Sequence, residues 1–410
     1  MSRPLYWISL CFATSFCNKP DLAEATNNYG ETLLKTKKWY AIMLYIHLPG
    51  NAHRKGSEKE EEAMVKNKTK NLSLDFMKLV AACFVVFIHI PFPYPLSLAV
   101  TSVARFAVPF FFAVSGYYSL GIGTVKIKKR VVRNLQLHLV AAVLCLATGS
   151  LIQYCSEGTV GAVLNYLRTS ALPNIYQIVQ WILLQSNPYG GQLWYLSSLL
   201  LCYLVLWGYT LFWEGEKQDN KPLYYAGFSL LAVYFTMSNL LLVEGVTPPY
   251  RAYTNGWLAG IPMFTMGMFL HEYEERLITR FSLTSGKMWF LIVLGILMSL
   301  IQGFAGYEAE IPFGMYLVVP ALLLFLVRNP EIPIHNSWIQ AFVSRLGVVS
   351  MAVYILHIPI IDLYNRFLQD WAYGLAATRE PLLRPVIVLI LSLLAAFLWE
   401  RVDWLLTRKK

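Results

Sequence analysis

The chain has 410 residues, 56% of them hydrophobic and only 14% charged, whereas a soluble domain carries roughly a quarter charged residues. That balance excludes an ordinary water-soluble globular protein. A net charge of +10 would point to nucleic acid in a soluble chain. Here the basic residues fall in links between apolar blocks, so they report membrane topology, and no nucleic-acid partner is expected.

The apolar residues form blocks of about 18 to 22, the length an α-helix needs to cross a hydrocarbon layer roughly 30 Å thick. The predicted helices lie at 74–92, 98–120, 134–153, 192–213, 223–243, 254–272, 287–305, 311–327, 347–366 and 384–405. The expected fold is all-α, a polytopic integral membrane bundle of about ten transmembrane helices. Between the third and fourth, Ile175 to Leu184 is apolar but too short to cross, which predicts a re-entrant or interfacial piece. Cys83, Cys145 and Cys202 sit in apolar runs; with Cys11, Cys17 and Cys155 they show no CxxC pair and no disulfide-like spacing. They read as packing thiols, and no metal is expected.

Charge sets the expected orientation. Lys66, Lys68 and Lys70 precede the first helix, the uncharged link Pro91 to Ser97 follows it, and Lys126, Lys128, Lys129, Arg130 and Arg133 follow the second. Alternation then places Lys217, Lys221, Arg276, Arg280, Arg328, Arg345, Arg408, Lys409 and Lys410 in the cytoplasm and Arg168, Arg251, Arg366, Arg379 and Arg384 outside. Both ends of the membrane domain are thus expected in the cytoplasm.

Residues 1–63 fit this plan poorly, because Leu5 to Cys17 and Trp39 to Leu48 are too short to span and Glu58 to Glu62 is a charged run. A signal peptide has a weak basic start in Ser2 and Arg3, and an extra domain lacks a core. The favoured expectation is an upstream mis-start, with synthesis beginning at Met64 and a membrane domain over 64–410.

Ionisable groups inside a bilayer cost about 2.5–3.5 kcal/mol each on insertion scales, so the few in these helices are candidates for function. The first helix, LDFMKLVAACFVVFIHIPFP, carries Asp75, Lys78 and His89. Lys78 and His89, eleven residues apart, share one face and are separated by roughly 16 Å along the axis. Lys78 snorkelling to lipid phosphates, with His89 bonded to a neighbouring helix, is the bland reading. Asp75 lies at i, i+3 to Lys78, the spacing of a helical ion pair. The second helix carries Arg105, a kinking Pro109 and the small pair Ser115-Gly116. Its guanidinium needs an acceptor: a phosphate, a carboxylate or helix carbonyls.

These residues resemble acyltransferase family 3, the polytopic bacterial acyltransferases that include cell-surface O-acetyltransferases; the membrane half of the vancomycin-resistance serine racemases is a relative in pattern. The likeness covers about 70–408. It rests on Lys78, ten residues and His89, and on RFAVPFFFAVSG from Arg105 to Gly116. Gln192-Leu193-Trp194-Tyr195-Leu196 and Ser350 to His357 (SMAVYILH) add to it. The family usually has arginine where Lys78 stands, so the bidentate fork is lost there.

The resemblance implies a bacterial plasma-membrane enzyme and a cytosolic acyl-CoA donor, acetyl-CoA by family default, as co-substrate. It also implies a hydroxyl acceptor at the surface, such as a carbohydrate, and dependence on the first-helix histidine. His89 then takes the catalytic role, and Lys78 and Arg105 are the charged partners.

By depth, His89, Arg105, Trp194 and His357 are expected to line one cavity. His89 would take the proton of an acceptor hydroxyl or be transiently acylated. Arg105 would offset an oxyanion or orient an acidic acceptor, and Lys78 would attract CoA phosphates. Asp75, Ser115, Trp194 and His357 join Lys78 as expected substrate-binding residues. For His357 a satisfied interhelical histidine, and for Trp194 and Tyr195 interfacial anchors, are the competing readings. The competing function is a transporter of a small polar solute such as an amino acid. Transport predicts paired broken helices and internal repeats, neither visible in the sequence.

Overall fold

A computed structural model describes residues 71–213, 218–246, 249, 254–332, 342–376 and 379–407. The Met64 start, the 1–63 segment, Lys66, Lys68, Lys70, Lys217, Arg251 and Arg408 to Lys410 lie outside the described residues. Thr69–Lys410 forms one compact unit, and among its described residues every regular element is helical.

Asn71 caps the first helix, α1 (Leu72–His89), by accepting from the Leu74 amide at 2.7 Å, which satisfies one of the unpaired N–H groups of the first turn. Next come α2 (Leu96–Ala104) and α3 (Ala107–Tyr117), then α4 (Gly123–Glu157), α5 (Val160–Ser170) and α6 (Ile175–Leu184). They are followed by α7 (Trp194–Phe212) and α8 (Lys221–Phe235), the latter continued by a wider π turn to Val243. A π turn over Gly256–Gly260 leads into α9 (Ile261–Phe281), then α10 (Ser285–Phe304), α11 (Met315–Arg328), α12 (Leu346–Leu363, continued to Ala376) and α13 (Glu380–Thr407). Eight of these stretches are long and apolar enough to cross a membrane. The segments containing α9 and α11 complete the ten expected helices: α9 carries the charged run from His271 to Arg276, and α11 is only 14 residues long.

Two expected helices differ in detail. The second is broken, because Pro109 has no N–H for the Arg105 carbonyl four residues back and its ring crowds that carbonyl; the chain leaves the helix at Arg105 and Phe106. The third starts at Gly123 rather than 134 and runs 35 residues. Lysine and arginine are good helix formers, so nothing in Lys126 to Arg133 stops it, and it ends where Gly158 takes the left-handed conformation at φ 69°.

The short apolar piece Ile175 to Leu184 is the helix α6, preceded by α5, with no buried residue in either. A reciprocal cap of Asn174 and Gln177 starts α6. It is tied to the bundle by Trp181, whose indole donates to Ser197 at 2.9 Å, and by Trp257, whose indole donates to the Leu183 carbonyl at 3.0 Å. Ser197 also meets His138 Nε2 at 3.1 Å and Asn187 at 3.3 Å.

The core is centred on α3, α7, α9 and α11, with a second cluster where α1, α12 and α13 meet. Helices α3 and α9 approach each other closely. A β-carbon at Gly116 would lie 1.8 Å from the Phe264 carbonyl oxygen, and one at Gly267 would lie 1.9 Å from that of Ala113. Two glycines therefore let two backbones touch, the contact that holds helices together where lipid leaves no hydrophobic drive. Gly267→Leu is expected to separate α3 from α9, costing roughly 1–3 kcal/mol as overpacking, whereas Gly208→Ala, with open space around it, changes little. Melting temperatures of the two variants in detergent check this.

Candidate active site

One end of the bundle gathers Asp75, Lys78, Tyr118, Glu274 and Arg328; the other holds His89, Arg105, Glu310 and His357. Lys78 Nζ donates to Asp75 Oδ1 at 3.1 Å, one turn apart on α1. Nearby, Tyr117 donates to Glu274 at 2.6 Å, and Arg328 pairs with Glu275 at 3.0 Å and Glu274 at 3.6 Å. Ser115, at that end of α3, is within reach of the Tyr195 and Tyr203 hydroxyls. Along α1 this puts Asp75 and Lys78 well away from His89, so the structure groups the sequence candidates into two clusters.

At the far end, the helix break aims Arg105 sideways into the bundle, where its guanidinium pairs with Glu310. Glu310 does not come from a helix. It sits in the link between α10 and α11, and it arrives because α11 is short. At 1.5 Å per residue α11 spans roughly 21 Å, less than a ~30 Å hydrocarbon layer, so the link enters the depth of the bundle.

Irregular backbone at such depth must find partners within the protein. Gln302 accepts from the Phe313 amide at 2.8 Å, Asn239 donates to the Ile311 carbonyl at 3.1 Å, and Gln302 donates to Asn239 at 3.0 Å. Asn239 is 0% exposed and Gln302 5%. These two amides, with Glu310, belong to the candidate site and are the residues that sequence reading missed.

His89 closes α1 and is exposed. Its ring lies 5.0 Å from that of His357, tilted by 41°, and Arg105 is near enough to act on its charge. Among the described residues neither His89 nitrogen has a hydrogen-bond partner. His357 is fully buried, and its Nδ1 lies 2.7 Å from the Tyr354 carbonyl and 3.3 Å from that of Val353. Only a donor fits there, so Nδ1 carries the proton and Nε2 keeps a lone pair. That Nε2 is buried without a partner, a costly state for a polar atom. Tyr354 fixes this stretch of α12 by donating to the Gln192 carbonyl, at the start of α7.

Trp194 joins Arg105 and Glu310 in lining a pocket with Phe112 and Pro109. His89 is not part of that lining, although its neighbour Ile88 is. The single cavity expected for four residues is therefore two adjoining places: the pocket of Arg105 and Trp194, and the imidazole pair.

Fold and site define a polytopic membrane protein with a polar, imidazole-bearing centre among its spans. The chain belongs to acyltransferase family 3: residues 71–401 match the family model of that acyltransferase domain. It is similar to the serine/alanine racemase of Enterococcus gallinarum, 25% identical over 366 residues that are 82% of this chain and 47% of the racemase. The chain thus spans about half the length of that relative. No solved structure matches it.

Removing one partner of a fully buried ion pair costs roughly 3–5 kcal/mol. Arg105 and Glu310 keep 20% and 17% of their side chains exposed, so Glu310→Ala is expected to cost less than that range while lowering the melting temperature measurably. The double variant Arg105→Met, Glu310→Met is expected to melt above Glu310→Ala, because no unpaired charge remains. A double variant less stable than the single one would mean the pair is not what holds the link.

Proposed function

We propose that this protein moves an acyl group, acetyl by family default, from acyl-CoA to a hydroxyl of a cell-surface acceptor such as a glycan. The observation that carries the reading is the exposed imidazole of His89, with both nitrogens available, set against a buried histidine of fixed tautomer. An N–H of His89 turned onto His357 Nε2 satisfies that orphan atom, fixes the tautomer of His89 and leaves its other nitrogen as a base. This is the arrangement general-base catalysis needs.

The acceptor hydroxyl then attacks the thioester carbonyl while His89 takes its proton. The new C–O bond forms, the C–S bond breaks, and His89 returns the proton to the departing CoA thiolate. Arg105, held in place by Glu310, offsets charge on the carbonyl oxygen as it develops. His357 is a positioning residue in this scheme. Asp75 and Lys78 offer a cation at the opposite end for the CoA phosphates, with Ser115 toward that end and Trp194 beside Arg105 as further substrate contacts. No metal takes part.

The orientation follows from charge. Lys126, Lys128, Lys129, Arg130 and Arg133 on α4, Arg276 and Arg280 on α9, and Arg328 gather at the Lys78 end. Arg168, Arg366, Arg379 and Arg384 stand at the other. The positive-inside rule then assigns the Lys78 end to the cytoplasm, where acyl-CoA is, and the His89 end to the outside of a bacterial plasma membrane. Family membership favours transfer over the transport reading.

Two variants test the scheme by release of CoA from acetyl-CoA and by mass spectrometry of surface glycans. His89→Ala is expected to reduce transfer by at least about 100-fold, the lower bound for losing a general base. His357→Gln is expected to lower kcat about 10–100-fold, the scale of a misplaced group, with the KM for acetyl-CoA unchanged and an altered pH profile. Unchanged surface acylation in His89→Ala would remove His89 from the mechanism.

A further inference from the structure

A second cavity, of about 310 Å³, opens beside Arg105 between α2, α10 and the link that follows α10. Its polar wall is built from Ser97, Thr101, Ser102, Ser299, Glu308 and Tyr307, with Arg105 at the side that adjoins the ion pair. Ile88, the residue before His89, lines both this cavity and the Trp194 pocket, so the space abuts the proposed reaction centre. Beside it α2 and α10 approach on small residues: a β-carbon at Gly303 would meet the Ser102 hydroxyl at 2.2 Å.

Size and charge together limit what fits. The volume sits at the lower edge of the roughly 300–1,000 Å³ range of small-molecule sites, enough for one ring-sized unit and too little for several. Hydroxyls and a carboxylate make a wall that exchanges hydrogen bonds with a polyol, and the Tyr307 ring offers an apolar face beside them.

The charge is one-sided. The charge of Arg105 is balanced by Glu310, and Glu308 is exposed with no ion-pair partner among the described residues. One negative charge is left facing the space. Among the residues that line the cavity, a carboxylate or phosphate brought in would meet Glu308 and no positive charge beyond the one that Glu310 balances.

We infer that this cavity is the acceptor site, and that it takes a single uncharged polyhydroxylated unit and rejects anionic ones. The inference rests on the acyltransferase reading above and adds to it the class of acceptor.

The test uses the full chain in lipid nanodiscs with radiolabelled acetyl-CoA and two probes of matched size, methyl glucoside and methyl glucuronide. Acetyl transfer at limiting probe is expected to favour the glucoside by at least about tenfold, equivalent to about 1.4 kcal/mol. Glu308→Gln is expected to shrink that ratio several-fold, and a ratio taken within one variant does not depend on how much protein folds.

Equal or preferred use of the glucuronide overturns the assignment, as does a ratio that Glu308→Gln leaves unmoved. So does transfer to neither probe when wild type, but not His89→Ala, still releases CoA. No His89-dependent release of CoA at all would remove the acyltransferase mechanism itself, a distinct result that takes the cavity's role with it.

Discussion

A guanidinium among membrane helices is tolerable only beside an acceptor, and the whole far end of this bundle is arranged around supplying one. Pro109 breaks the helix and frees Arg105 to point inward. The carboxylate that meets it comes from an irregular link, which needs a short α11 to reach that depth and two buried amides, Asn239 and Gln302, to satisfy its backbone. The pocket of Trp194 and the cavity beside α2 are the spaces left around the pair.

Helix contacts in lipid gain little from burial, so α3 and α9 are held by the close approach that Gly116 and Gly267 allow. The same helix, α3, follows directly on the Arg105 break. Packing and chemistry therefore share one element. On the α12 side, Tyr354 and His357 are locked by backbone carbonyls, Gln192 for the first and Tyr354 and Val353 for the second. A buried imidazole with its tautomer set by the main chain is a fixed support for the exposed ring at the end of α1.

The helices were legible in the sequence because runs of apolar side chains of bilayer length leave few other options. His89, Arg105 and Lys78 were legible too, since charge and imidazole stand out in such runs. The break at Arg105 was half legible: Pro109 announced a kink, but not that the chain would leave the helix at Arg105 and Phe106. Glu310 was not legible. It lies in a polar stretch, Tyr307 to Glu310, that reads as a solvated link, and only the depth of that link makes the carboxylate a partner for Arg105. Asn239 and Gln302 were hidden for a related reason, since a lone amide near a helix end carries no signal until the backbone it serves is placed. The separation of the imidazole pair from the Trp194 pocket turns on which way side chains leave their helices, which depth along the axis does not specify.

The 35 residues of α4 amount to roughly 52 Å at 1.5 Å per residue, far more than a hydrocarbon layer of about 30 Å requires. Its surplus carries Lys126, Lys128 and Lys129 on flexible stems, whereas α11 is shorter than the layer and fixed among its neighbours. Such a molecule fits thick and thin bilayers unequally. The long rod slides or leans at little cost, whereas the short one is walled in by protein, so its mismatch is taken up by the chain that links it and not by lipid.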